Sequence, residues 1–253
     1  MKTSNRIKNW PCSHTTSYRQ AGKQMMSNLM KITTILIFVL MVSLNGYSQK
    51  VNFGISYGVN VSWWRGGMDL FANQIEQGLS SEGIYAEFHE APRLGINFGF
   101  TLNYKPVKWL IIQPEVNYIN EGTRLKGTCN LDGIDINMRI ALNVNYLHIP
   151  VMFKFITPGG LYVAAGPFAD ITTHSRMKVT VSAMGESDSE KEKLPNVSRF
   201  NYGLAGGVGY QTKELGVQIS YLHGLKPVFA ENGTAYQLKN SVIEVKMISF
   251  FGN

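Results

Sequence analysis

From residue 49 the chain alternates without a break between two kinds of side chain. Val51, Phe53, Ile55, Tyr57, Val59 and Val61 fall on one parity, and Asn52, Gly54, Ser56, Gly58, Asn60 and Ser62 on the other. Successive side chains of a strand point to opposite faces, so this segment has one continuous apolar face and one of amides, hydroxyls and bare backbone. The pattern recurs along the rest of the chain. Its mean hydropathy of −0.07 looks ordinary for a soluble protein. A barrel that mixes a lipid face with a polar lumen face inside every strand gives the same average, and only the periodicity exposes it.

The one long apolar run, 32–44, follows Lys31 and precedes Asn45, Gly46, Tyr47 and Ser48. It is too short for a membrane helix, which needs about 20 apolar residues, and has the shape of a secretory signal cleaved after Ser48. Residues 1–29 read as a non-native or disordered extension, 30–48 as the signal peptide and 49–253 as the barrel domain. The formal net charge of +7 is carried largely by the first two segments. Removing Lys2, Arg6, Lys8, Arg19, Lys23 and Lys31 from the 24 Lys and Arg leaves 18 against 17 Asp and Glu, which removes support for a nucleic-acid partner. Cys12 leaves with the extension, so Cys129 has no partner for an internal disulfide.

Seven further strands follow. They run over 94–104, 109–122, from 134 to about 155, and over 161–176, 199–211, 215–225 and 238–251. In the fourth, Ile136, Met138, Ile140, Leu142, Val144 and Tyr146 are expected to face lipid. The apolar residues then change parity at Leu147, Ile149, Val151, Phe153 and Phe155, which predicts a bulge near His148 and Pro150. Connections alternate in length: 65–90, 123–133, 179–197 and 226–237 are long, whereas 105–108, 157–160 and 212–214 are short. The expectation is all-β: an eight-stranded antiparallel up-and-down transmembrane β-barrel with short periplasmic turns and long extracellular loops. Trp63, Trp64, Trp109, Tyr118, Tyr146, Tyr210 and Tyr221 are assigned to interfacial aromatic girdles.

Three segments carry a family resemblance: QPEVNYINEG (113–122), NYLHIPVMFKF (145–155) and LYVAAGPFADI (161–171). They resemble successive signature strands of the PorT-like outer-membrane β-barrel family of Gram-negative bacteria. NYGLAGGVGY (201–210) and VQISYLHGLKPV (217–228) resemble its later strands in the same order. The chain departs from the family pattern at His148, where an acid is common, and in ending on Asn253 rather than on an aromatic residue. The resemblance implies an outer-membrane location and, through the family's named member, a part in protein export. Fold transfers across such a resemblance better than function does.

Parity assigns Arg93, Glu115, Arg139, Asp170, Glu244 and Lys246 to the lumen, three bases against three acids. An eight-stranded barrel is only wide enough for its own side chains, so a mutually neutralising ionic core is expected. Asp170 and His174 would lie about 13 Å apart along one strand, too far for a catalytic dyad. Glu87, His89 and Glu90 are too close in sequence to converge on one metal ion, and no metal or cofactor is assigned. Gly203, Gly206, Gly207 and Gly209 sit in a strand pattern and make room in the lumen rather than cradling a nucleotide. Met68, Phe71, Ile75 and Leu79 predict a short amphipathic helix in the first loop, packed on the rim or presented to a partner. Residues 186–193 read as a solvated loop tip without a ligand. The function expected is non-enzymatic, with outer-membrane lipid and possible proteins of an export or envelope complex as partners. The alternatives are a small porin-like channel, a lipid-modifying barrel enzyme and a soluble lipocalin-like barrel.

Overall fold

The computed structural model describes residues 51–251 apart from 82, 132–133, 184–185 and 230–236. The expected extension and signal peptide lie outside the described residues. The strands are β1 (Val51–Arg65), β2 (Ala86–Val107), β3 (Leu110–Leu131), β4 (Ile134–Ile156), β5 (Leu161–Ala183), β6 (Glu186–Lys193), β7 (Phe200–Gln211), β8 (Leu215–Gly224) and β9 (Lys239–Phe251). One helix, α1 (Met68–Ser81), lies between β1 and β2. Every ladder is antiparallel. Strands β1–β5 and β7–β9 close into an eight-membered ring through the β4–β5 and β1–β9 pairings. β6 stands outside the ring, paired only with the far half of β5.

Strand length divides the barrel into two storeys. β7, β8 and β9 have 12, 10 and 13 residues, close to the 9–11 that a tilted strand needs to cross a bilayer. β2 to β5 have 22, 22, 23 and 23, about twice that length. The loops expected over 123–133 and 179–197 are therefore mostly ladder. β3 and β4 pair continuously up to Leu131 and Ile134, and 186–193 is a strand rather than a loop tip.

The lower storey carries its apolar side outward. Phe53, Ile55, Tyr57 and Val59 of β1, Leu94 to Phe100 of β2 on alternate positions, and Val217 and Ile219 of β8 are all exposed. In the upper storey the arrangement is reversed. Ile119, Leu125, Leu142 and Val144 are fully buried in one cluster with Met68 and Ala72 of α1, and Leu194, Val228 and Leu238 from the other connections join them. On β4, even-numbered residues face inward throughout: Leu142, Val144 and Tyr146 above, and His148, Met152 and Lys154 below.

The bulge expected at His148 and Pro150 is thus absent. The change of apolar parity marks where the strand passes from water into the apolar belt, so its greasy residues leave the inner face for the outer one. β3 changes at the same level, since Tyr118 pairs with Leu147 and Ile119 with Tyr146. The register shift on β4 involves β5, where Thr173 is the extra residue between the partners of Asn145 and Tyr146.

Candidate functional site: the barrel lumen and its cap

Inward parity in the lower storey falls on polar residues, and the ladder stacks them into a connected set. Lys246 of β9 reaches across to β3, where its Nζ donates to both Glu115 oxygens at 3.0 and 2.8 Å, and it lies 3.4 Å from Glu244. Glu115 also accepts from Gln113 Nε2 at 2.5 Å and from Asn117 Nδ2 at 2.7 Å, and Ser56 Oγ donates to Asn117 at 2.8 Å. All these side chains are buried. The carboxylate has a counter-ion and neutral donors, which is what a charge withdrawn from water requires.

Toward the short turns, Lys154 is fully buried. Its Nζ donates to Tyr162 Oη and Gln211 Oε1, both at 3.3 Å, and sits 4.3 Å from the centre of the Tyr162 ring. Tyr162 in turn donates to Gln218 at 3.0 Å. Space for such rings comes from β7: a side chain at Gly209 would meet Tyr162 Oη at 2.4 Å, and one at Gly203 would meet the Phe168 ring at 2.4 Å. Gly206 differs, because it faces outward and a side chain there would make only an ordinary contact, with the Ala164 carbonyl oxygen at 3.9 Å.

At the top of the belt, register places His148 directly opposite Asp170. Their Nδ1 and Oδ1 atoms are 2.6 Å apart, both side chains are buried, and the imidazole packs on Phe168. Asp170 thus has a histidine partner on the next strand rather than His174, which hydrogen-bonds Arg176 at 2.5 Å on the exposed side. No hydroxyl or thiol hydrogen-bonds to His148 among the described residues. Above it, Asn240 Nδ2 donates to Glu121 at 2.8 Å and to Tyr146 Oη at 3.2 Å. Glu90, in the upper storey, accepts from the Trp64 backbone amide at 3.2 Å and from Thr123 Oγ1 at 2.9 Å. Burial pushes its carboxyl above the usual range.

Of the residues assigned to the lumen, the structure brings together Glu115, Glu244 and Lys246, and it places Asp170 against His148. Arg93 is half-buried and donates to Asn120, apart from that set. Arg139 is a correction: it is exposed on the outer wall of the upper storey, because the inner face of β4 there is taken by Ile140, Leu142 and Val144. Two girdle assignments are also corrected. Trp64 is 1% exposed and packs edge-on against Phe229 at 5.5 Å, and Tyr146 points inward to Asn240, so both belong to the cap. Trp63 lies 6.3 Å from Tyr221, Trp109 stacks on Phe155 at 5.9 Å, and Tyr118 lies 5.4 Å from Phe98.

Lys154, His148 and Glu121 escape the sequence reading. The first two share the inward parity of β4: Lys154, between the outward Phe153 and Phe155, lies inward with or without the expected bulge, whereas His148 sits at the bulge position and its facing depends on it. Glu87 and His89 are exposed and 3.7 Å apart, and no group of three potential metal ligands occurs among the described residues.

The profile described as outer membrane protein β-barrel domain matches residues 42–230. None of the curated proteins matches the chain. Solved structures similar to it include Ail, the attachment invasion locus protein of Yersinia pestis, at 10% identity over 80% of this chain and 100% of that one, TM-score 0.38. Neisserial surface protein A is 12% identical over 79% and 97%, TM-score 0.37. The N-terminal β-barrel domain of Pseudomonas aeruginosa OprF is 11% identical over 80% and 98%, TM-score 0.32.

Proposed function

The chain belongs to the outer membrane protein β-barrel family, and from that premise we propose that it is a closed, non-enzymatic barrel that acts through its upper storey and rim. The observation that carries this reading is the occupied lumen. Lys154, Glu115, Lys246, Glu244, His148 and Asp170 succeed one another along the barrel, each buried against a partner. Above them the apolar cluster under α1 closes the mouth. A hydrated path would need these groups in water, whereas here each has a protein partner, Tyr162 and Gln211 for Lys154 and one another for the rest.

The Asp170–His148 pair supports the same reading, since it is buried and no hydroxyl hydrogen-bonds to His148 among the described residues. The PorT-like segments support a place in protein export or in an envelope complex of a Gram-negative bacterium, with the long strands as the surface offered to partners. Planar-bilayer recording of the purified, folded protein tests closure. We expect no stable unit openings; discrete, ion-selective steps would favour the porin-like alternative.

A further inference from the structure

The outward wall of the upper storey sorts its charges by sign. Across the β5–β6 ladder, Arg176 stands directly opposite Lys193, and Lys178 directly opposite Lys191. The rung of Lys178 continues through Ala141 of β4 to Arg124 of β3, and on the next rung outward Lys126 faces Arg139. Directly opposed residues share a face, so these bases form one continuous cationic surface. The acids of β6 go to the other side, with Glu192 opposite Met177, Glu190 opposite Val179 and Asp188 opposite Val181. By register Glu87 and Asp135 stand on the cationic side at its far end, Glu87 already 3.7 Å from His89. Like charges held directly opposite repel one another, and anions seated between them remove that cost.

Position identifies the anion. The wall rises from the same outward face as the apolar belt. On β4, Leu147 is the last apolar residue of the belt, followed upward by Asn145 and then Asn143, which is paired with Arg176. Four residues are about 13 Å along a strand and about 10 Å along the membrane normal at the usual tilt. The bases therefore stand beside the headgroups of neighbouring lipids in the outer leaflet. A cleft of about 990 Å³ opens at the foot of the wall, where His174, Arg176, Lys191, Lys193 and Arg199 outnumber the one acid of its lining, Glu192. We propose that the β3–β6 wall and this cleft bind the phosphorylated headgroups of glycolipids in the surrounding outer leaflet. The assignment rests on the outer-membrane placement and not on whether the lumen conducts.

The test uses folded protein in a neutral maltoside detergent, titrated with a bis-phosphorylated diglucosamine lipid, with inorganic pyrophosphate and with a single-stranded oligodeoxynucleotide. We expect saturable glycolipid binding that weakens at least about tenfold when Arg176, Lys178, Lys191 and Lys193 are all changed to Gln. The control combines Lys105→Gln, Lys108→Gln and Lys213→Gln at the short-turn end and should bind like the wild type. Neutralising opposed cations relieves repulsion, so the four-site variant should retain heat-modifiable migration. High salt applied to the unaltered protein must produce a comparable loss, which gives a reading independent of any variant. Equal binding by the four-site variant, equal loss in the control or insensitivity to salt overturns the proposal. So does pyrophosphate or the oligonucleotide binding as tightly as the glycolipid, since the wall would then recognise soluble polyanions.

Discussion

Lys246 shows how a single residue holds the lumen in one arrangement. Its ammonium bridges β9 to Glu115 of β3 across the barrel, with both partners withdrawn from water. Lys246→Met should leave Glu115 buried with only Gln113 and Asn117 as donors, and destabilise the barrel by about 3 to 5 kcal/mol. The urea midpoint of heat-modifiable migration would report this, and adding Glu115→Gln to the same chain should recover much of the loss. An unchanged midpoint in the single variant would mean that the pair contributes nothing. Lys154 is a different case, because Tyr162 and Gln211 are neutral partners at 3.3 Å. The inward parity of Glu115, Glu244 and Lys246 can be read directly from strands with one consistent alternation. His148 cannot be read that way, because its strand changes apolar parity there and sequence alone does not distinguish a bulge from a change of solvent, whereas Lys154, between Phe153 and Phe155, faces inward on either alternative.

At the scale of the element, α1 converts an open ladder into a closed cap. Its Met68 and Ala72 are buried, Phe71, Ile75 and Leu79 pack beside them, and Glu76 accepts from the Phe88 amide at 2.7 Å, fixing the helix to β2. Cys129 is buried in the upper storey at 5% exposure, so its thiol reports on the cap. Ala72→Asp puts a carboxylate into that apolar contact, at a cost of a few kcal/mol if it stays buried. We expect maleimide labelling of Cys129 to accelerate markedly, while the belt below keeps its heat-modifiable migration. Unchanged labelling would show that the helix does not guard the interior. The helical spacing of Met68, Phe71, Ile75 and Leu79 is legible in the sequence. Its docking surface is not, because that surface belongs to upper strand halves whose apolar residues look the same whether they face lipid or a core.

For the whole molecule, the boundary between the two storeys is the level at which Tyr118 pairs with Leu147. Nitroxides placed singly at the outward positions Asn143, Asn145, Leu147, Ile149 and Val151, in a Cys129→Ser background, should locate it. Collisions with oxygen should exceed those with an aqueous nickel complex at the last three positions, and the order should reverse at the first two. Lipid-like accessibility at all five would move the boundary and return Ile140 to Val144 to the membrane. The sequence by itself determined an antiparallel barrel of alternating strands, because period-two alternation is local and survives any tertiary context. It also determined which end has the short turns. Only the tertiary structure decided which way each apolar face points, because alternation establishes two faces but not which medium each one meets. The same lack of local information left the charges of 186–193 looking mixed, until pairing β6 against β5 put the bases on one side and the acids on the other.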